Sequence, residues 1–285
     1  MRRASSILSE MEQIVTVQDL TGVFESIAST RVAKIRDKVE LSTEFFDRLW
    51  RLYIGLGLDP GSAFSDRQQN GNSRSAFIMI SAEGGLSGDI DQRMMERVVK
   101  DYDATTTDLM VIGEHGASQL IQRGITFTNY FKVPLAEEYV DVSQIITALQ
   151  PYAEVSVYYE AYVSLGVQEI KVIDLISQAR SMSALPNEPA DVIDLDAETV
   201  FEPSLDAITR QMEQTMIGLA LSQVILESSL AQDASRFNAM AVAKKRSQDL
   251  VTEYNLTYHR AKRSESDLRL HEVMIGLKKK KKRRA

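Results

Sequence analysis

Residues 226–243 read Leu226-Glu-Ser-Ser-Leu-Ala-Gln-Asp-Ala-Ser-Arg-Phe-Asn-Ala-Met-Ala-Val-Ala243 and contain neither proline nor glycine. The alanines at its centre allow a second helix to approach closely. We therefore expect helical structure from about Ser204 to Leu277, packed against a partner. Whether this helix is continuous stays open at this point. Its apolar side chains recur mostly at steps of three or four residues, the spacing of one helical face; they are Ile208, Met212, Met216, Leu219, Leu226, Leu230, Phe237, Ala241, Leu250, Tyr254, Tyr258 and Ala261.

The other end of the chain has the same character. No proline occurs before Pro60, and apolar residues repeat at helical spacing from about Ser5 to Leu56, where a glycine-rich stop signal follows. A helix of that length, roughly 75 Å at 1.5 Å per residue, needs a partner to cover its apolar face. The C-terminal helix is the natural partner, so the sequence predicts an antiparallel coiled coil with helices of unequal length.

Between these helices the apolar pattern changes period. Short apolar runs at 76–80 and 108–112 are typical of buried strands, and the alternating segments 155–163 and 169–175 indicate an antiparallel hairpin. Helices are expected at about 89–102, 118–123 and 141–152, and an extended piece at 125–130. The predicted fold is α/β, with N- and C-terminal helices paired in a long antiparallel coiled coil and a small central Rossmann-like α/β domain. The predicted domains are 1–58, 59–203 (ending in an acidic linker) and 204–285.

Composition excludes several classes of site. The 285 residues include no cysteine, which removes disulfides, thiol nucleophiles and cysteine metal sites, and the three histidines form no paired metal-ligand motif. No apolar run approaches the ~18 residues of a transmembrane helix.

The net charge of −7 is unevenly distributed along the chain. Residues 59–203 carry nine basic and 23 acidic side chains, whereas residues 204–285 carry 16 basic and nine acidic side chains. Such segregation bears on partners rather than on fold.

The segment Glu83-Gly-Gly-Leu-Ser-Gly88 lies between a predicted strand and a predicted helix, where a phosphate-binding turn would lie. A tight structural turn and a nucleotide site both remain open. Asp89 and Asp91 favour the first, because carboxylates at a helix start repel phosphate, and neither G-x-x-x-x-G-K-[ST] nor G-x-G-x-x-G is matched. His115 is interpreted as a loop residue after a strand. No catalytic residue, cofactor site or metal site is predicted.

Five motifs, in chain order, resemble those of the γ subunits of F-type ATP synthases. Leu20–Arg31 is similar to ITKAMEMVAASK, and Ser81–Asp91 to STDRGLCGGLN. Phe201–Pro203 resembles YEP, Ala234–Met240 resembles AARMVAM, and Tyr258–Arg263 resembles YNKARQ. The order holds along nearly the whole chain, so the resemblance concerns the whole architecture.

This resemblance implies a rotor rather than an enzyme. Members of the family form a central stalk whose coiled coil sits in the bore of three α and three β subunits and whose foot binds the ε subunit and the membrane c-ring. Ion-driven rotation of the c-ring is thereby coupled to ATP synthesis or hydrolysis. The resemblance further implies a chain without catalytic residues or cofactor, held through its partners at the cytoplasmic face of a bacterial plasma membrane.

The resemblance also implies partner contacts. Those toward the α and β subunits are Phe24, Glu25, Arg236, Met240, Arg263, Asp267 and Arg269, and those toward the c-ring and ε subunit are Phe201 and Glu202. Arg236 keeps a family arginine, whereas Phe24 replaces a usual methionine. Because a shaft must slide in its bore, scattered polar contacts are expected to outweigh one large apolar patch.

Two other classes fit parts of the pattern. A coiled-coil adaptor would bind nucleic acid or anionic membrane through the basic run Lys278–Arg284, which otherwise fits a solvated tail. A nucleotide-binding α/β enzyme would use the glycine-rich turn. Steeply salt-dependent binding would mark the adaptor, and ATP binding by the isolated chain would mark the enzyme.

Overall fold

The computed structural model describes residues 3–55, 74–134, 140–183, 202 and 204–282. The C-terminal helix is continuous over 78 residues and the N-terminal helix over 52. In chain order the elements are α1 (Ala4–Gly55), β1 (Ser75–Ile80), α2 (Ile90–Asp101), β2 (Thr107–Ile112), α3 (Glu114–Gln122), β3 (Asn129–Phe131), α4 (Ser143–Leu149), β4 (Val155–Ser164), β5 (Val167–Asp174), α5 (Leu175–Ser183) and α6 (Leu205–Lys282). No described helix has the length and apolarity required to cross a membrane.

The chain divides into two compact units, which we describe separately. The terminal unit combines Met1–Ile27 with Phe237–Ala285, and the sheet unit is Ala28–Arg236. This division follows packing and cuts both long helices, so the domain boundaries 1–58, 59–203 and 204–285 stay a prediction. Most of the predicted acidic linker lies outside the described residues.

The sheet unit is built on five strands in the order β3-β2-β1-β4-β5. β1 pairs in parallel with both β2 and β4, and β2 pairs in parallel with β3. β5 returns antiparallel along β4, which confirms the predicted hairpin. The apolar runs of β1 and β2 agree with this topology, since parallel strands are covered on both faces.

Successive residues of the strands enter two apolar cores on opposite faces of the sheet. Ile78 packs with apolar side chains of α1, α4, α5 and α6. Its neighbour Met79, together with Tyr158, packs with α2 and α3 on the other face. The first core also holds Trp50, which stacks on Tyr53 with ring centroids 5.2 Å apart. Both long helices therefore share a core with the sheet in this unit.

In the terminal unit α1 and α6 run antiparallel. The backbone N–H of Ala4 donates to Glu265 Oε1 at 2.8 Å, and Lys244 Nζ donates to Glu25 Oε2 at 2.7 Å. The residue later in α1, Glu25, therefore pairs with the residue earlier in α6, Lys244, so the two helices run in opposite directions. Ile7 packs in a small apolar cluster near the first of these pairs.

The sheet unit shows the same antiparallel direction. Arg31 Nη1 lies 4.0 Å from Asp233 Oδ1, and Tyr53 Oη donates to Glu213 Oε1 at 3.2 Å. Ala231 and Ala234, two of the small residues in the opening stretch, are fully buried here: Ala231 0%, Ala234 0% exposed. The prediction that the two terminal helices pair is therefore confirmed.

Two local expectations need correction. The helix expected at 118–123 begins earlier, at Glu114, because Gly113 adopts a φ of +104° and turns the chain directly from β2 into the helix. The strand expected at 169–175 ends at Asp174, whose carboxylate accepts from the Ser177 N–H at 2.7 Å. That bond is typical of a helix N-cap, and it starts α5, which the alternating pattern did not predict.

Candidate functional site

The turn Glu83–Gly88 connects β1 to α2. Leu86 and Gly88 have φ values of +72° and +76°, in the left-handed region that favours glycine. Leu86 is not a glycine, so this conformation carries a steric cost there. Its side chain is exposed. The carboxylate of Glu83 accepts from the N–H groups of Glu114 and Val133, which ties the turn to α3 and to the segment after β3.

Helix α6 holds the same turn from the other side. Ser235 Oγ donates to the Ser87 carbonyl at 2.6 Å. Arg236 extends Nε to the Gly85 carbonyl at 3.5 Å and Nη2 to the Gly84 carbonyl at 3.4 Å. We call the turn Glu83–Gly88 together with Ser235 and Arg236 the joint, because it connects the sheet to α6 within the sheet unit.

Arg236 also neutralises a buried carboxylate. Its Nη1 donates to Asp233 Oδ1 at 2.5 Å. Burial raises the pKa of Asp233, while the positive charges of Arg236 and Arg31 oppose that rise. Sequence reasoning predicted Arg236 as a contact to another subunit; in the chain itself this side chain is largely buried and binds its own helix and the turn. The predicted external contact stays a prediction.

Beneath the turn lies a buried polar cluster. Asp91, in the first turn of α2, accepts at Oδ2 from Ser87 Oγ and from His115 Nδ1, the latter at 3.0 Å. His115 lies in the first turn of α3 rather than in a loop, so that interpretation was wrong. Glu160 of β4 is fully buried, 0% exposed. Burial, and next the negative charge of Asp91, raise the pKa of Glu160 well above its usual range.

Sequence reasoning did not single out Glu160. A glutamate within an alternating strand is normally interpreted as a solvent-facing residue. The available signal was its spacing: Glu160 is two residues from Tyr158 and therefore shares its face, and Tyr158 packs in the core that α2 and α3 cover.

The arrangement supports the structural interpretation of the glycine-rich turn. In open α/β sheets, nucleotides bind beyond the carboxyl ends of the strands where the connections change face, and the turn after β1 occupies that position. Here the carbonyls of the turn face α6, and Asp91 places a carboxylate at the start of α2. Within the described ranges, no group of three or more potential ligand side chains could hold a metal ion.

The terminal unit presents a different feature, an apolar face of α1 that the unit leaves uncovered. Val17, Leu20, Phe24 and Ile27 follow steps of three, four and three residues and so lie on one helical face. Their exposed fractions lie between 38% and 53%. We call these four residues the α1 stripe. The stripe differs from the expectation that polar contacts dominate the shaft surface.

The other residues predicted to contact partners have distinct environments. Glu25 is paired with Lys244 and Met240 is buried, so neither is free in the chain. The three charged residues of α6 that were predicted to contact partners are exposed: Arg263, Asp267 and Arg269. Glu202 is exposed, and Phe201 lies outside the described residues. α6 also exposes apolar side chains near its end: Leu268, Leu270, Val273, Met274, Ile275 and Leu277.

A family model described as ATP synthase matches residues 4–278 of this chain. The chain belongs to the ATP synthase γ chain family. It is 20% identical to the ATP synthase gamma chain of Clostridium novyi, with 95% of this chain and 96% of that protein aligned. It is 24% identical to the ATP synthase gamma chain of Geotalea uraniireducens, with 95% and 98% aligned. These proteins are subunits of an enzyme complex.

Solved structures of ATP synthase share the fold. A chain in the cryo-EM structure of the Euglena gracilis mitochondrial ATP synthase described as OSCP/F1/c-ring, rotational state 3, aligns with a TM-score of 0.64 at 13% identity, covering 95% of this chain and 93% of that one. A chain of the rotor from the same organism, rotational state 1, gives 0.59 at 12% identity, covering 91% and 98%. The predicted fold class is therefore confirmed.

Proposed function

We propose that this chain is the central-stalk rotor subunit of an F-type ATP synthase, coupling ion-driven rotation of the c-ring to ATP synthesis or hydrolysis by the α and β subunits. The match to the ATP synthase family over residues 4–278 carries the proposal. The antiparallel pairing of α1 and α6 in each unit supports it, because a paired helix resists bending and twisting better than a single one. The chain itself performs no bond chemistry in this proposal.

The joint is where torque would enter the shaft. A foot held by the ε subunit and the c-ring turns with them, and the Ser235 and Arg236 bonds to the turn connect the sheet to α6. Glu202 and Phe201 are proposed to face those partners. The protein would then be peripheral to the cytoplasmic face of a bacterial plasma membrane, attached through its partners.

The α1 stripe is proposed to face the ring of three α and three β subunits. Fully burying one such apolar side chain contributes about 1.5–3 kcal/mol, and aromatic residues are frequent hot spots in interfaces. Arg263, Asp267 and Arg269 would add polar contacts to the same ring, and their exposure leaves them available to do so.

Affinity purification of the tagged full-length chain from its native source tests the rotor proposal. We expect α, β and ε subunits to co-purify, and the isolated chain neither to bind nor to hydrolyse ATP. Purification without α or β subunits would contradict the proposal. ATP binding by the isolated chain would favour the enzyme alternative, and salt-sensitive capture by nucleic acid or anionic vesicles would favour the adaptor.

Substitution of the α1 stripe tests the assigned surface. Leu20→Ser combined with Phe24→Ser should weaken co-purification of the α and β subunits while leaving thermal unfolding of the chain within a few degrees of the parent. Ile121→Ser is the control, because Ile121 is an apolar residue of α3 in the sheet unit that is, at 65%, even more exposed than Leu20 and Phe24. Equal losses for the stripe variant and the control would refute the assignment.

A further inference from the structure

The buried cluster beneath the turn has an unmet hydrogen-bonding requirement. Among the described residues, neither carboxyl oxygen of Glu160 has a hydrogen-bond partner, and neither does Asp91 Oδ1. An ionised carboxylate is only an acceptor, so two facing carboxylates cannot bond each other unless one carries a proton. Leaving a buried polar group unpaired costs about 1–3 kcal/mol, more for a charged one. A single proton shared between Glu160 and Asp91 reduces this cost, because one hydrogen bond then pairs Asp91 Oδ1 with one of the two Glu160 oxygens.

The surroundings place that proton on Glu160. Asp91 already accepts two hydrogen bonds at Oδ2, from Ser87 and His115. It also lies in the first turn of α2, where the helix dipole favours negative charge. Glu160 lies in the middle of a strand and receives no such stabilisation, because a sheet has only a small net dipole.

The charged groups around Glu160 come from three helices. Asp91 and Arg93 belong to α2, His115 belongs to α3 and binds Asp91, and Arg236 belongs to α6. The two arginines favour an ionised Glu160, but burial and the charge of Asp91 oppose it more strongly. Arg236 is held by Asp233 at 2.5 Å, and its bonds to Gly84 and Gly85 are the weaker ones, at 3.4 Å and 3.5 Å.

We propose that Glu160 is a proton-operated latch for the joint. With its proton in place, Glu160 bonds Asp91, Asp91 holds Ser87, and Ser87 presents its carbonyl to Ser235. When the proton passes to solvent, the two carboxylates repel each other and the negative charge of Glu160 attracts Arg236 away from the turn. The polar connection between the turn and α6 then loosens. This inference concerns the chain itself and holds whether or not the rotor proposal is correct.

The direction of the pH dependence follows from linkage. A carboxyl group whose folded-state pKa lies above its unfolded value contributes stability that is fully present below the unfolded pKa, and it is lost as the pH rises through the folded pKa. Within that window the equilibrium for opening should shift by up to about tenfold for each pH unit, the effect of a single proton. A rise in pH therefore favours the open state of the latch.

Amide hydrogen exchange of the full-length chain tests the latch. Wild type and Glu160→Gln are compared at the same pH from 5 to 9, which cancels the intrinsic pH dependence of exchange. Protection of residues 83–91 in wild type should fall relative to the variant, by up to about tenfold per pH unit as the pH rises toward the folded pKa, and should level off above it. Glu169→Gln, an exposed residue of β5, is the matched control and should follow wild type. A constant ratio between wild type and Glu160→Gln would overturn the proposal.

Infrared difference spectroscopy gives a readout that does not require the variant to fold. Wild type titrated from acid to alkaline pH should lose at least one protonated-carboxyl C=O band well above the ordinary titration range of glutamate. Protection of residues 83–91 should reach its lower plateau at the pH where this band is lost. Absence of such a band at neutral pH would show that Glu160 is already ionised and would overturn the latch.

Discussion

The hydroxyl of Ser235 donates to the carbonyl oxygen of Ser87 across 2.6 Å, although 148 positions separate the two residues in the chain. The bond is buried and joins the centre of α6 to the turn that follows the first strand. It is the shortest link between α6 and the turn in the joint, since the Arg236 bonds to the same turn are 3.4–3.5 Å long. The sheet and α6 also share an apolar core, so this bond adds a polar connection at the turn to that packing.

Removing this hydroxyl should weaken the sheet unit. Ser235→Ala leaves the Ser87 carbonyl buried without its donor, and we expect a loss of about 1–3 kcal/mol in the free energy of unfolding. Thermal unfolding followed by circular dichroism measures it. Ser266→Ala is the control: Ser266 lies on the same helix, but its hydroxyl is exposed and donates to the carbonyl of Lys262 in its own helix. Equal stabilities of the two variants would contradict the importance of the bond.

The pair Arg236–Asp233 should behave as a coupled unit. Arg236→Met leaves the buried Asp233 without its closest positive charge, so it should be more destabilising than the double variant Arg236→Met with Asp233→Asn. A double-mutant cycle on urea unfolding should give a coupling energy of about 1–3 kcal/mol. Additive effects of the two substitutions would show that the arginine acts mainly through the turn carbonyls.

The start of α1 depends on a residue of α6. Glu265 Oε1 accepts from the Ala4 N–H, which belongs to the first helical turn and lacks a partner within its own helix. Glu265→Ala should cost about 1 kcal/mol locally, as for loss of a helix cap. Amide exchange of residues 5–9 should accelerate, while Glu253→Ala, an exposed site on the same helix, should leave it unchanged. Unchanged exchange in Glu265→Ala would refute the capping role.

Acid stability should depend on Asp108. Hydrogen bonds from Arg74, at 2.7 Å to 3.0 Å, lower the pKa of Asp108, and the Tyr152 hydroxyl bond acts in the same direction. A carboxyl group with a lowered folded-state pKa contributes stability above its unfolded pKa, and that stability is lost as the pH falls through the folded pKa. Thermal midpoints of wild type should therefore drop more steeply than those of Asp108→Asn as the pH falls below about 4, the ordinary pKa of an aspartate. Parallel curves would contradict this assignment.

The sequence predicted the long helices well because their signal is redundant. Between Leu205 and Lys282 the repeated spacing of apolar residues and the absence of proline both indicate a helix, so a single exception such as Gly218 does not change the prediction. The antiparallel pairing of the two hairpin strands was equally predictable from the sequence, since the connection through Gly166 is short. The start of α3 was missed because it depends on the φ of Gly113, which no periodicity reports.

The joint was harder to predict because its parts are far apart in the chain. The sequence indicated the turn and indicated a contact role for Arg236, yet nothing in it shows that Arg236 bonds Gly84 rather than another subunit. Glu160 shows the opposite case. Its charge indicates solvent, but its position in β4 places it under α2, and only the folded arrangement brings Asp91 to it. Tertiary packing, not local preference, sets the protonation of that residue.

The stacked pair Trp50–Tyr53 lies in the core shared by α1, α6 and the sheet, and Trp50 is the only tryptophan in the chain. Its emission spectrum is therefore a native optical probe of one defined place. A red shift would report water entering between the long helices and the sheet without any attached dye. If the chain twists under torque, this indole is positioned to show whether strain reaches the core or is absorbed elsewhere.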